Sequence, residues 1–271
     1  MSGDELITSA ANDRIKRLVR LRNRRERDRT GLFVVEGYRE LLRAAGAGVE
    51  VIEVYSCPEL FLGKNDAELL ERLRSRGAGV VTVAPGPFRK ASYRDRPEGL
   101  IGVVRAFDVS LGRLDPPASP LLLVVESIEK PGNLGTMLRT AQAAGADAVI
   151  VCDPATDPFN PNVVRASLGT LFDVPLAVAS TPDTLAWLAG RGIATVAASP
   201  AAVLPHHQAD LSGAVALVVG SEQYGLTAAW LEGADHRVVI PMPGSVDSLN
   251  AAVSAGILLF EAARQRSPRE G

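Results

Sequence analysis

Residues 121–126 read Leu-Leu-Leu-Val-Val-Glu, an apolar run with no polar break before its last position. A strand with one wet face alternates apolar and polar side chains. A continuous apolar run of strand length asks for cover on both faces, which parallel sheets flanked by helices provide. The pattern returns at 146–153 (ADAVIVCD), 193–199 (IATVAAS), 214–220 (AVALVVG) and 237–242 (RVVIPM). Segments 133–145, 181–192 and 248–266 between and after them read as helices, and 163–178 reads as a helix followed by a strand. Strands alternating with helices predict an α/β domain on a mainly parallel sheet.

The first hundred residues alternate as well. FVVEG (33–37) reads as a strand, 38–48 as a helix ending at glycine, 49–57 as a strand, 66–77 as a second glycine-stopped helix and 80–84 as a strand, which together predict a small α/β domain. Residues 110–120, SLGRLDPPASP, hold three prolines and no apolar period, the mark of a linker. The expected organisation is therefore a first domain over 1–109, a linker over 110–120 and a second domain over 121–271.

Net charge is −2 over the 271 residues, which alone argues against a nucleic-acid binder, but it is unevenly spread. Residues 1–118 carry 21 Lys+Arg against 17 Asp+Glu, a net of +4, and residues 119–271 carry 8 against 14, a net of −6. Such asymmetry points to one domain that meets an anion. The basic density peaks at 12–29, NDRIKRLVRLRNRRERDR, with nine Lys+Arg around Ile15, Leu18, Val19 and Leu21; the spacing predicts one basic amphipathic helix. Arg14, Lys16, Arg17, Arg20, Arg22, Arg24 and Arg25 are candidate contacts to RNA phosphates, and a solvated helix face is the competing reading. Tyr38, Tyr55 and Tyr93 could stack bases, but core packing is the preferred reading for each.

Other classes find no support. No apolar run approaches the ~18 residues of a membrane span, and the opening MSGDELITSAANDRIKR lacks the apolar core of a signal peptide. Cys57 and Cys152 are far apart and make no disulfide framework, which favours a reducing cytoplasm. His206 and His207 are adjacent but have no third ligand at metal spacing, and His236 reads as structural, so no metal is expected. There is no GxGxxG and no Walker A loop, which argues against a dinucleotide or triphosphate site and a conventional Rossmann enzyme.

Three strand-end loops carry the chemistry. In 126–141, ESIEKPGNLGTMLRTA, a strand passes through Pro131, Gly132, Asn133 and Gly135 into a helix bearing Arg139. In parallel α/β sheets ligands bind beyond the carboxyl ends of strands, and helix-start amides can hold an anion; plain turn chemistry and a solvated helix charge are the rival readings. In 218–227, VVGSEQYGLT, Gly220 ends an apolar strand, Ser221 follows and Glu222 stands where a first-turn acid would favour a helix dipole. In 238–256, VVIPMPGSVDSLNAAVSAG, Pro241 and Pro243 stop a strand, and Ser248 or Asn250 caps a helix whose small residues allow close packing.

In this order, N-L-G-x-x-x-R-T-A, G-S-E-x-x-G-L and I-P-M-x-G-x-x-x-S-L-N resemble the three signature motifs of the SpoU/TrmH family (SPOUT superfamily) of RNA ribose 2′-O-methyltransferases. FVVEGYRELLRA (33–44) is similar to the opening of the family's N-terminal substrate-binding domain, and RASLGTLFDVP (165–175) to a mid-domain segment, so the resemblance covers nearly the whole chain. Glu129-Lys130-Pro131 departs from the Asp-Pro common before the first motif.

The resemblance implies an N-terminal L30e-like α/β domain, an α/β-knot catalytic domain with a deep C-terminal trefoil knot, a homodimer formed through the third-motif helix, and S-adenosylmethionine (SAM) as methyl donor. Carried over by position, Gly220, Ser221, Ile240, Met242 and Leu249 line the cofactor site, while Asn133, Arg139, Glu222, Ser248 and Asn250 form the catalytic set. The implied reaction is methyl transfer to a ribose 2′-hydroxyl of RNA, with ribosomal RNA favoured by analogy of domain organisation. A transfer-RNA substrate and a non-catalytic RNA-binding module are the alternatives, and the motifs do not separate housekeeping modification from antibiotic resistance.

Overall fold

The computed structural model describes residues 6–267. They divide into two compact units, Met1–Phe107 with Asp157–Asp173, and Asp108–Thr156 with Val174–Gly271.

The first unit opens with α1 (Asp13–Arg20) and α2 (Arg24–Thr30). The single helix expected over 12–29 is broken at 21–23, where the Asn23 side chain accepts the N–H of Arg25 at 2.9 Å. An asparagine that offers its own oxygen to the backbone starts a new helix more readily than it continues an old one. Ile15, Leu18 and Leu21 are buried at spacings of three. There follow β1 (Leu32–Glu36), α3 (Tyr38–Gly46), β2 (Val51–Ser56), α4 (Asp66–Ser75), β3 (Gly79–Thr82), α5 (Pro85–Ala91) and β4 (Leu100–Arg105). The sheet order is β1-β4-β2-β3, antiparallel except between β2 and β3.

The second unit begins β5 (Leu121–Glu126), α6 (Pro131–Ala143) and β6 (Ala148–Cys152). The chain then makes α7 (Pro161–Ala166), which belongs to the first unit. There Phe159 lies 4.8 Å from Phe33 and 5.0 Å from Phe107, ring to ring, and Asp157 pairs with the buried Arg27. Back in the second unit come β7 (Leu176–Ala179), α8 (Thr181–Ala189), β8 (Ala194–Ala198), the two-residue β9 (Leu204–Pro205), β10 (Val215–Val219), α9 (Ala228–Gly233), β11 (His236–Val239) and α10 (Ala251–Arg266).

This sheet runs β7-β6-β5-β10-β8-β11-β9 and is parallel at every pairing. Every residue of β5, β6 and β10 is buried, as continuous apolar runs require. Each such Val or Leu side chain contributes roughly 1.5–3 kcal/mol. The strands advance outward from β5 through β6 to β7. The later strands stack on its other side, and this reversal opens a crevice at the carboxyl ends.

The division differs from the sequence expectation in two places. Residues 157–173 join the first unit, and the second unit begins at Asp108, before the expected linker: the N–H of Val178 bonds the carbonyl of Val109 at 2.7 Å, and Leu114 of the linker segment is buried in the second core. Among the described residues no helix is long and apolar enough to cross a membrane, and Cys57 and Cys152 are buried free thiols.

Candidate functional site

Three parallel strands end at one place in the second unit. β8 runs into Ser199-Pro200, β10 into Gly220-Ser221 and β11 into Ile240, and between these ends lies a cavity of about 320 Å³. That volume falls at the lower end of the ~300–1,000 Å³ usual for small-molecule sites. Gly220, Ser221, Ile240, Met242 and Leu249, singled out from the sequence as cofactor residues, all line it, and so do Glu222 and Ser248.

The wall from β10 is a tight turn. Ser221 and Gly225 exchange backbone hydrogen bonds, both 3.0 Å, and the Ser221 hydroxyl accepts the N–H of Tyr224 at 3.1 Å. A side chain at Gly220 would overlap the backbone of Gly225 and Leu226, so only glycine lets the chain double back here.

The first motif reaches the cavity through hydrogen bonds. Asn133, in the first turn of α6, donates its amide to Glu222, and Asn250, the cap of α10, donates its own amide to Asn133 at 3.2 Å. The Asn250 oxygen accepts the N–H of Ala252 at 2.9 Å. Glu222 also accepts the backbone N–H of Glu129 at 3.3 Å. Partial burial pushes the Glu222 carboxyl up, but the bonds from Asn133 and from the backbone at 129–130 outweigh it and hold the pKa below the ordinary value. Glu222, Asn133 and Asn250 thus form one ordered chain in which the carboxylate is ionised.

Arg139 is placed differently. It sits on the exposed face of α6, outside the cavity wall, and makes no ion pair among the described residues. It is six residues beyond Asn133, about 9 Å along the helix axis. α6 and α10 lie side by side in the same direction, since Asn133 meets Asn250 at their starts and Thr140 meets Gly256 further along, where a Cβ on the glycine would stand 3.5 Å from the threonine methyl.

Sequence reasoning missed the group that fastens this site to the sheet. Glu126, 1% exposed at the end of β5, accepts bonds from Thr181 and Thr227. The strand-end logic applied to the motifs also points to Ser199-Pro200, which follows an apolar strand in the same way.

In the first unit the basic residues are unequally available. Arg14, Lys16, Arg24 and Arg25 are exposed; Lys16 pairs with Asp13 at 3.1 Å and Arg24 lies 3.7 Å from Asp28. Arg17 is turned onto the sheet, where it pairs with Glu53 and bonds the Tyr55 hydroxyl at 3.2 Å. Tyr55 is fully buried, whereas Tyr38 and Tyr93 are half-buried, so the core reading holds for Tyr55 only. His206 and His207 stack edge to face at 5.4 Å, and no cluster of metal-ligating side chains occurs among the described residues.

A parallel sheet with an apolar-walled, polar-rimmed cavity beyond its strand ends defines a cofactor-binding α/β domain. The chain belongs to the SpoU rRNA methylase family: that family matches residues 120–260, and the MRM3-like substrate binding domain matches residues 12–102. It is 29% identical over 257 residues to the 23S rRNA (guanosine(2553)-2'-O)-methyltransferase RlmP of Bacillus subtilis, covering 94% of this chain and 97% of the relative. It is 32% identical over 253 residues to the 23S rRNA (uridine(2479)-2'-O)-methyltransferase of Streptomyces viridochromogenes, covering 91% and 87%. The AdoMet-bound rRNA methyltransferase structure from Sinorhizobium meliloti superposes with a TM-score of 0.88 at 31% identity, over 96% of this chain and 97% of that one.

Proposed function

We propose that this protein transfers the methyl group of SAM to a ribose 2′-hydroxyl of ribosomal RNA. The observation that carries the reading is the convergence of the second and third motifs on one cavity, with the first motif tied to it through Asn133 and Glu222. The full-length likeness to 23S rRNA 2′-O-methyltransferases and to an AdoMet-bound structure agrees with it.

The cavity suits an adenosyl group. Val219, Ile240, Leu249 and Ala251 give apolar walls, and Ser221, Glu222, Ser248 and Ser254 give a polar rim, the composition usual for cofactor sites. When bound, SAM supplies a methyl group already activated on a sulfonium. The chain's own residues then have two tasks. Asn133, Glu222 and Asn250 hold the loops in one geometry, and positioning of this kind supplies much of the rate when the leaving group is good. A ribose hydroxyl is a weak nucleophile whose oxygen gains negative charge as its proton passes to solvent water. Arg139, whose guanidinium offers only donors and no acceptor, stabilises that charge and the neighbouring phosphate.

The finer features of the reading are a trefoil knot, a homodimer, an RNA-binding first unit and a cytoplasmic location. Return of the chain after β11 to the cavity and to Asn133 supports the knot. An exposed apolar stripe on α10, Val253 and Phe260 seven residues apart and 50% and 53% exposed, supports the dimer. The match to a substrate binding domain supports the role of the first unit.

The test is transfer of labelled methyl from SAM to total bacterial RNA, with the 2′-O-methyl positions mapped. Label at a single ribose of 23S rRNA is the expected result. Label confined to transfer RNA, or no label in any RNA, would overturn the assignment.

A further inference from the structure

The first unit holds an open cavity of about 570 Å³ lined by Arg22, Arg89, Ser92, Tyr93, Arg94 and Asp95 among others. Its walls are built on buried charge. Glu36, 7% exposed at the end of β1, accepts the hydroxyl of Ser92 and the backbone N–H of Tyr93, the latter at 2.7 Å. Arg94 bonds the carbonyl of Glu36 at 3.0 Å and pairs with Glu40, itself 2% exposed, at 2.6 Å, and with Glu98. Burying carboxylates costs stability unless every lone pair is used, and here the buried acids fix the loop 92–94 and aim it into the cavity.

The remaining walls carry more positive than negative charge. One terminal nitrogen of Arg22 donates to the carbonyls of Lys90, Ala91 and Ser92 at 3.0, 2.9 and 2.6 Å, and its guanidinium lies 5.4 Å from the Tyr93 ring centre. The Tyr93 hydroxyl accepts the amide of Asn162 at 3.1 Å, which fixes the ring's tilt. Arg89 is exposed and makes no ion pair among the described residues. Arg94 is balanced by its two glutamates, so Arg22 and Arg89 face Asp95 alone and the cavity is net positive. Two guanidiniums beside an anchored aromatic ring fit a strand of single-stranded nucleic acid, whose phosphates seek cations and whose bases seek flat surfaces.

We propose that this cavity is an RNA-strand site of the first unit, in which Arg22 and Arg89 grip a phosphodiester and the Tyr93–Arg22 pair receives the adjoining base. The assignment rests on the RNA-methylating function proposed above. It moves the decisive contacts from the exposed face of α1 and α2 to the cavity beside α5.

The test uses the full chain with SAM present and a fluorescein-labelled, mixed-sequence single-stranded RNA, followed by anisotropy across a salt series. Arg89→Gln is expected to lower the slope of log affinity against log salt by ~0.7 and to weaken binding about fourfold near 0.15 M salt. Tyr93→Ala is expected to weaken binding about tenfold with the slope unchanged. SAM affinity, measured on the same samples, should stay at wild-type values in both variants, and the melting temperature should stay there for the exposed Arg89→Gln. Wild-type slope and affinity in both variants, with the wild-type protein binding and methylating RNA, would overturn the cavity assignment alone. Loss of SAM affinity in either variant would show a structural role and overturn it as well. A wild-type protein that binds SAM but neither binds nor methylates RNA would remove the functional reading itself.

Discussion

The carboxylate of Glu126, buried at the end of β5, accepts the backbone N–H of Thr227 at 2.8 Å and its hydroxyl at 2.7 Å. The hydroxyl of Thr181 adds a bond at 3.1 Å, and Thr181 in turn accepts the indole N–H of Trp230 at 3.2 Å. The arm that leaves the cavity turn at Gly225-Leu226 is thereby fastened to a central strand of the sheet. A buried carboxylate is tolerable when its lone pairs are used in this way.

Removing the acceptor strands several donors at once. Glu126→Ala is expected to cost ~3 kcal/mol or more, since each buried donor left unsatisfied costs ~1–3 kcal/mol, and to weaken SAM binding through the displaced turn. Thr227→Val removes one hydroxyl and is expected to cost ~1 kcal/mol. Urea denaturation and calorimetric SAM titration check both. Equal damage from the two variants would show that Glu126 is not the anchor.

The turn itself separates two glycines. At Gly220 a Cβ overlaps the backbone of Gly225 and Leu226, whereas Gly225, with φ of +68°, has nothing within 4 Å of an added Cβ. Gly220→Ala is therefore expected to abolish SAM binding because backbone must move. Gly225→Ala meets only the left-handed penalty of ~1–2 kcal/mol and should keep most of its affinity. Fluorescence or calorimetric SAM titration distinguishes the two, and a tolerant Gly220→Ala would refute the geometric account.

Glu222 predicts a dependence on pH. Its bonds to Asn133 and the backbone outweigh partial burial and lower its pKa from the ordinary 4.5. A carboxylate with a depressed folded-state pKa contributes fully above its ordinary value and loses that contribution as pH falls through the folded one. SAM affinity is expected to stay level from neutrality down to the ordinary carboxylate value and to fall below it. Glu222→Gln should bind more weakly at neutrality and lose the acid limb. An unchanged acid limb in that variant would assign the titration to another group.

The legible parts of this chain are those where composition itself reports burial. The runs at 121–126, 146–153 and 214–220 could be read as covered strands because apolar side chains on both faces have no other stable home, and they became β5, β6 and β10. Glycine, proline and serine at strand ends marked turns only, and the cavity-lining residues came from the resemblance of the second and third motifs. Other features depend on partners distant in sequence. Phe159 and Phe172 announce burial but not which core receives them, and both lie against Phe33. Glu126 looks like the polar end of a strand, and its partners Thr181 and Thr227 come 55 and 101 residues later. Asn23 divides a basic helix by a local hydrogen bond that competes with an otherwise continuous apolar period.

Arg139 stands on the exposed face of α6 without a carboxylate partner among the described residues, so its replacement should leave the fold intact. Arg139→Ala is expected to lower kcat for RNA methylation at least ~100-fold, the scale for losing one stabiliser of transition-state charge, while SAM affinity remains near wild type. Single-turnover methylation beside SAM titration makes the comparison. Near-normal turnover would exclude Arg139 from the chemistry, and a parallel loss of SAM affinity would make it a binding residue instead.

The stripe on α10 gives the test of assembly. Val253 and Phe260 lie on one face of the helix, with half-buried Ile257 between them, and all three project beyond the core. Residues spaced three, four and seven apart share a helix face, and helix faces of this kind are buried when a second subunit covers them. A charge placed there would have to be desolvated on association, so Phe260→Glu is expected to shift the proposed dimer to monomer in sedimentation at micromolar concentration. Because α6 lies beside α10, a partner subunit seated on this stripe would also approach Arg139's helix. Methylation is therefore expected to fall with the dimer while SAM still binds. A Phe260→Glu protein that remains dimeric would place the subunit interface elsewhere, and one that becomes monomeric with full activity would show that each chain carries a complete site.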